Sequence, residues 1–95
     1  MAHKLILSPR AKRDETNAYN CYEDIRPGLG DKFLEILNEF YLKISEHPLY
    51  YSFVSTSKQL RDVKIRHFPY VIIYFVAGDT IIISSVRHTH RRPIA

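Results

Sequence analysis

The sequence predicts an α+β domain in the order β-α-α-β-β-β: an N-terminal strand, then an α-helical hairpin packed on a small, mostly antiparallel sheet. Three observations carry this. Leu29, Phe33, Leu34, Ile36, Leu37, Phe40, Tyr41 and Ile44 make a broad apolar stripe at helical spacing, opposite Lys32, Glu35, Asn38, Glu39 and Lys43. Two β-branched and aromatic runs, Tyr70 to Val76 and Thr80 to His88, flank Gly78-Asp79, which has the composition of a two-residue type II′ turn. Lys4-Leu5-Ile6-Leu7, ahead of the helices, reads as a short strand.

The elements follow in order. Ser8-Pro9 supplies an N-cap and a first-turn proline, so the first helix starts at Pro9, with Asp14 and Glu15 placed to favour its early turns. Ala11, Ala18, Tyr19, Tyr22 and Ile25 recur on one side of it, and Cys21 reads as a small buried residue. Pro27-Gly28-Leu29-Gly30 ends that helix, and so short a turn makes the two helices an antiparallel hairpin. His47-Pro48 closes the second helix.

From Leu49 to Gln59 the chain is rich in Tyr, Ser and Thr without a firm period, and is expected to be a loop pinned by Tyr50, Tyr51 or Phe53. Leu60 to His67 alternates, with Val63 and Ile65 on one face and Asp62, Lys64 and Arg66 on the other, as in a half-exposed strand closed by Phe68-Pro69. In the next strand Tyr70 and Tyr74 share a face with Ile72 and Val76, which assigns both tyrosines to the core.

A length of 95 residues with 45% hydrophobic content suits one domain spanning 1–95, and 13% aromatic content with 3 Gly and 5 Pro argues against disorder. One Cys cannot form an intramolecular disulfide, and the start at Met1-Ala2-His3-Lys4 lacks the features of a signal peptide, so a cytoplasmic protein is expected. The apolar runs fall well short of the roughly 20 residues that span a bilayer.

The net charge of +4 hides a lopsided distribution. Residues 1–47 hold seven Lys/Arg against eight Asp/Glu, whereas residues 48–95 hold seven against two. The basic field therefore belongs to the second half. Arg61, Lys64, Arg66, Arg87, His88, His90, Arg91 and Arg92 are its members and the candidate partner- or target-binding residues. With so few acids nearby they suit an acidic protein surface or phosphate.

Several features together resemble the RelE/ParE superfamily of bacterial toxins: Ser8-Pro9, Pro27-Gly28-Leu29-Gly30, His47-Pro48, the run from Arg61 to Tyr70 with its Phe68-Pro69-Tyr70 turn, and the ending Val86-Arg87-His88-Thr89-His90-Arg91-Arg92. The ending and the Phe-Pro-Tyr turn are similar to ParE-like members. The resemblance covers nearly the whole chain and implies a toxin of a plasmid-stabilisation or related system, held inactive by an acidic antitoxin. ParE-like members act on DNA gyrase, and RelE-like members cut messenger RNA on the ribosome. The ribonucleases typically carry an Arg after the Tyr that opens the third strand and often a Tyr near the C-terminus; here Val71 follows Tyr70 and the chain ends Pro93-Ile94-Ala95. The resemblance thus favours a gyrase-binding toxin.

Ribonuclease chemistry would need a base, an acid and a cation on the phosphate, for which His88, His90 and Arg66 are the candidates. In a continuing strand His88 and His90 share one face, and Arg87 and Arg91 the other. No metal site is expected, because His67, His88 and His90 lack a carboxylate or Cys at ligand-like spacing, and no cofactor is implied.

Overall fold

The computed structural model describes residues 3–89. In chain order the elements are β1 (Lys4–Leu7), α1 (Pro9–Ile25), α2 (Leu29–Glu46), β2 (Phe53–Ser55), β3 (Leu60–Lys64), β4 (Tyr70–Ala77) and β5 (Thr80–His88). The sheet order is β1-β5-β4-β3-β2, parallel only where the first strand joins the last.

The α+β order holds, with one strand more than expected. Part of the segment expected to be a loop forms β2 at the sheet edge, a three-residue strand whose pairing with β3 is irregular. Tyr51 alone of the three expected pins packs against the core, while Tyr50 and Phe53 are exposed.

The hairpin is antiparallel because opposite ends of the helices meet. Glu23, near the end of α1, accepts N–H bonds from Gly28, Gly30 and Asp31 at 3.0, 2.9 and 3.3 Å. Glu15, nearer its start, accepts the Tyr41 hydroxyl at 2.7 Å. Ser8 caps α1 as expected, its hydroxyl accepting the Ala11 N–H at 3.0 Å. Asp14 and Glu15, however, lie beyond the first turn and serve as acceptors for other elements, not as dipole partners. Cys21 is exposed, contrary to the expectation of burial: it falls between the inward-facing Ala18 and Tyr22 positions.

Both helices cover the same sheet face. Phe33, Leu37 and Ile44 of α2 and Ala11 and Ala18 of α1 join Val63, Ile72, Tyr74, Ile81, Ile83 and Val86 in one core. Tyr22, Phe33, Phe68 and Tyr70 meet edge-on or tilted, with ring centroids 4.8 to 6.1 Å apart. Gly78 has φ +63° and Asp79 no positive φ, as the type II′ turn requires.

One irregularity decides where the basic end points. Tyr74 pairs with Ile83, but Ile73 pairs with Ser85, so Ser84 is an extra residue in β5. Ile83 and Val86 are three apart and would face opposite sides of a regular strand; the bulge turns both into the core. It also sends His88 to the helix side and Arg87 to the other.

Candidate functional site

The sheet face turned away from the helices is apolar in the middle, with Lys4 at one end and two cations, Lys64 and Arg87, at the other. Ile6, Ile82 and Phe75 form one cross-strand row, Ile73 follows, and Val71 then stands between Lys64 and Arg87 in register. None of these apolar side chains belongs to the core or packs against it. They are half-buried by sheet neighbours alone, and Ile6 is exposed. Neither Lys64 nor Arg87 makes an ion pair with a described residue, although Asp62 lies on the same face opposite Ile73, so two cations without an ion-pair partner among the described residues border the apolar strip. Such a surface is chemically suited to an anionic, partly apolar partner, because charge fixes register and apolar burial supplies affinity.

The other predicted residues are dispersed. Arg61 lies at the far end of β3 with its guanidinium bonded to the Tyr51 and Leu49 carbonyls and 4.0 Å from the Phe53 ring. Arg66 forms a two-pronged ion pair with Glu39 of α2, beside Lys43 and the Phe40 ring. This partner holds the Glu39 carboxyl below the usual carboxylate range and raises Arg66. His88 pairs with Tyr70 on the helix side, its ring edge-on to the tyrosine at 5.2 Å. Lys64 and Arg87 are thus brought together, while Arg61, Arg66 and His88 are not added to them. His90, Arg91 and Arg92 lie outside the described residues.

Sequence reasoning missed two features. His67, exposed beside Arg66, adopts a left-handed backbone with φ +70°, uncommon for a non-glycine residue, and no sequence signal marks it. The open apolar face did have a signal: Val71, Ile73 and Phe75 alternate with Ile72 and Tyr74, so β4 is apolar on both sides.

Asp14 and Ser8 finish the edge where β1 stops. The Asp14 carboxylate accepts the Val86 N–H at 3.0 Å and Ser8 donates to the Ser84 carbonyl at 2.9 Å, so α1 clamps the bulged strand just before Arg87. Among the described residues no group of three His, Cys, Asp or Glu could hold a metal, and no helix is long and apolar enough to cross a membrane.

Comparison with known proteins adds to the geometry. The family model described as the ParE toxin of the type II toxin-antitoxin system parDE matches residues 5–93. A solved structure from the chromosomal ParDE toxin-antitoxin system of P. aeruginosa superposes with a TM-score of 0.82, covering 94% of this chain and 98% of the other at 16% identity. That likeness is one of fold. No curated protein sequence matches the chain.

Proposed function

The chain belongs to the ParE toxin family of type II toxin-antitoxin systems, and from that premise we propose that it acts in the cytoplasm by binding DNA gyrase and is neutralised by a cognate acidic antitoxin. The observation that carries the reading is the open sheet face, an apolar strip ending in Lys64 and Arg87, neither paired with a described acid. A partly apolar segment with acidic residues at the Arg87 end would cover the strip and satisfy both cations. This arrangement favours contact over cleavage. Arg66, which messenger RNA cleavage with His88 and His90 would call on, is bound to Glu39. Val71 follows Tyr70, at the position where, by the resemblance, RelE-like ribonucleases typically carry an Arg.

The test is a supercoiling assay with purified gyrase. The expected result is loss of supercoiling, or a gyrase-DNA adduct, on adding the chain, with activity restored by the antitoxin. Untouched supercoiling at stoichiometric excess overturns the gyrase target. Primer extension on translated transcripts decides the alternative, since cleavage that disappears in His88→Ala or His90→Ala with the fold intact would make the chain a ribosome-dependent endonuclease.

A further inference from the structure

We propose that the antitoxin anchors on the surface made by segment 47–54 and Arg61, with a carboxylate on the Arg61 guanidinium and an apolar side chain seated beside Leu49 and Tyr50. The inference rests on the acidic antitoxin of the proposed function and adds where that protein binds. Residues 47–61 include Lys58 and Arg61 but no Asp or Glu, in a chain that is 25% charged. Exposed apolar side chains share the stretch: Leu49 is 67% exposed, Tyr50 80%, Phe53 44% and Val54 52%.

Arg61 is held in a pose that suits a carboxylate. Its Nη1 donates to the Leu49 and Tyr51 carbonyls, and its central carbon lies 4.0 Å from the centre of the Phe53 ring. Those carbonyls are neutral and no described acid pairs with Arg61, so the half-buried cation keeps its charge, with Nε and Nη2 bonded to no described residue. A guanidinium fixed over an aromatic ring takes a carboxylate in a two-pronged contact at little further cost in entropy. Arg61 shares the helix side of β3 with buried Val63, whereas Lys64 lies on the open face, so the two cationic sites are separate. Leu49, whose carbonyl Arg61 holds, also lines a cleft of about 430 Å3 together with His47, Tyr50, Val76 and Gly78. No Asp, Glu, Lys or Arg lines that cleft, so it suits an apolar side chain. The Tyr74 hydroxyl donates to the Pro48 carbonyl at 2.7 Å and fixes the backbone beneath it. A preformed hollow beside a fixed cation is the setting in which a single anchor residue contributes most to affinity.

Charge and apolar character together select the occupant. A second copy of this chain, with its net +4, would bring like charge to Arg61 and Lys58, and a nucleic acid would leave Leu49 and Val54 without an apolar partner. A protein segment that carries carboxylates among aliphatic or aromatic side chains satisfies both halves of the surface. The family supplies the protein to carry it, because a type II toxin is paired with an antitoxin.

Titration calorimetry of the purified full chain with its purified cognate antitoxin, in steps of salt, tests this. The parent chain should bind, with a Kd that rises as salt screens the carboxylate contact. Tyr50→Glu and Val54→Glu, both at exposed positions, should each raise the Kd at least about tenfold. Tyr50→Lys and Val54→Lys should raise it less, because the added charge has the sign that an acidic partner prefers. All four should keep the circular dichroism spectrum of the parent. Absence of binding by the parent would remove the antitoxin reading itself and this site with it. Binding that both Glu variants retain in full overturns the site alone. Equal losses from Glu and Lys, or a Kd indifferent to salt, overturn the carboxylate contact and with it the proposal. If the Glu variants bind the antitoxin as the parent does but no longer inhibit supercoiling, the surface belongs to gyrase and the proposal is again overturned.

Discussion

Glu23 is the clearest case of one side chain holding a turn. Its carboxylate satisfies three backbone N–H groups at the start of α2, where Gly28 at φ +89° has no side chain with which to cap the helix. Glu23→Ala should cost about 1–3 kcal/mol in a urea melt, because donors lose a charged acceptor. Gly30 sits in the same turn for a steric reason: an added Cβ would lie 2.7 Å from the Tyr19 carbonyl oxygen, which is backbone and cannot swing away. Gly30→Ala should therefore destabilise by about 1–3 kcal/mol, although alanine favours helices.

Glu39 carries a pH signature. Its folded carboxyl is lowered chiefly by the hydrogen-bonded Arg66, so its contribution is fully present above the unfolded value of about 4.3 and disappears as pH falls through the lower folded value. Melting temperature followed across acid pH should show a smaller decline in Glu39→Gln than in the parent chain. An identical decline would mean that the ion pair adds nothing. The partners of Arg61 and Arg66 were not legible in the sequence. Tyr51 lies ten residues back from Arg61, and Glu39 lies 27 back from Arg66 on another element, so only the tertiary fold brings them together.

Among the elements, those with strong local grammar were readable. Ser8-Pro9, the α2 stripe and the Gly78-Asp79 turn each combine a period with a boundary signal, and their helices and strands form where those signals place them. β2 was not, because three residues cannot display a period and its pairing is irregular. The Ser84 bulge was equally hidden, since the β-branched run looks regular until Ile83 and Val86 must both face inward. α1 secures that bulge through Ser8 and Asp14. Asp14→Ala, which removes the acceptor for the Val86 N–H, should destabilise by about 1–3 kcal/mol and speed hydrogen exchange at Val86 more than at Ile81, which is paired on both sides.

On the scale of the whole molecule, two helices cannot cover both faces of a five-stranded sheet, and the uncovered face is where β4 and β5 keep Val71, Ile73, Phe75 and Ile82. The basic half of the sequence was visible from charge counting. Its division was not: the fold commits Arg61 and Arg66 to internal bonds, turns His88 toward Tyr70 and leaves Lys64 and Arg87 on the open face. The central claim is that this face makes the contact that stops gyrase. The most direct measurement is the supercoiling assay with the parent chain beside the Lys64→Glu, Arg87→Glu double variant, whose exposed and half-exposed positions leave the core untouched. The account predicts inhibition by the parent and at least about a tenfold higher concentration for the variant. Equal inhibition by both would contradict it.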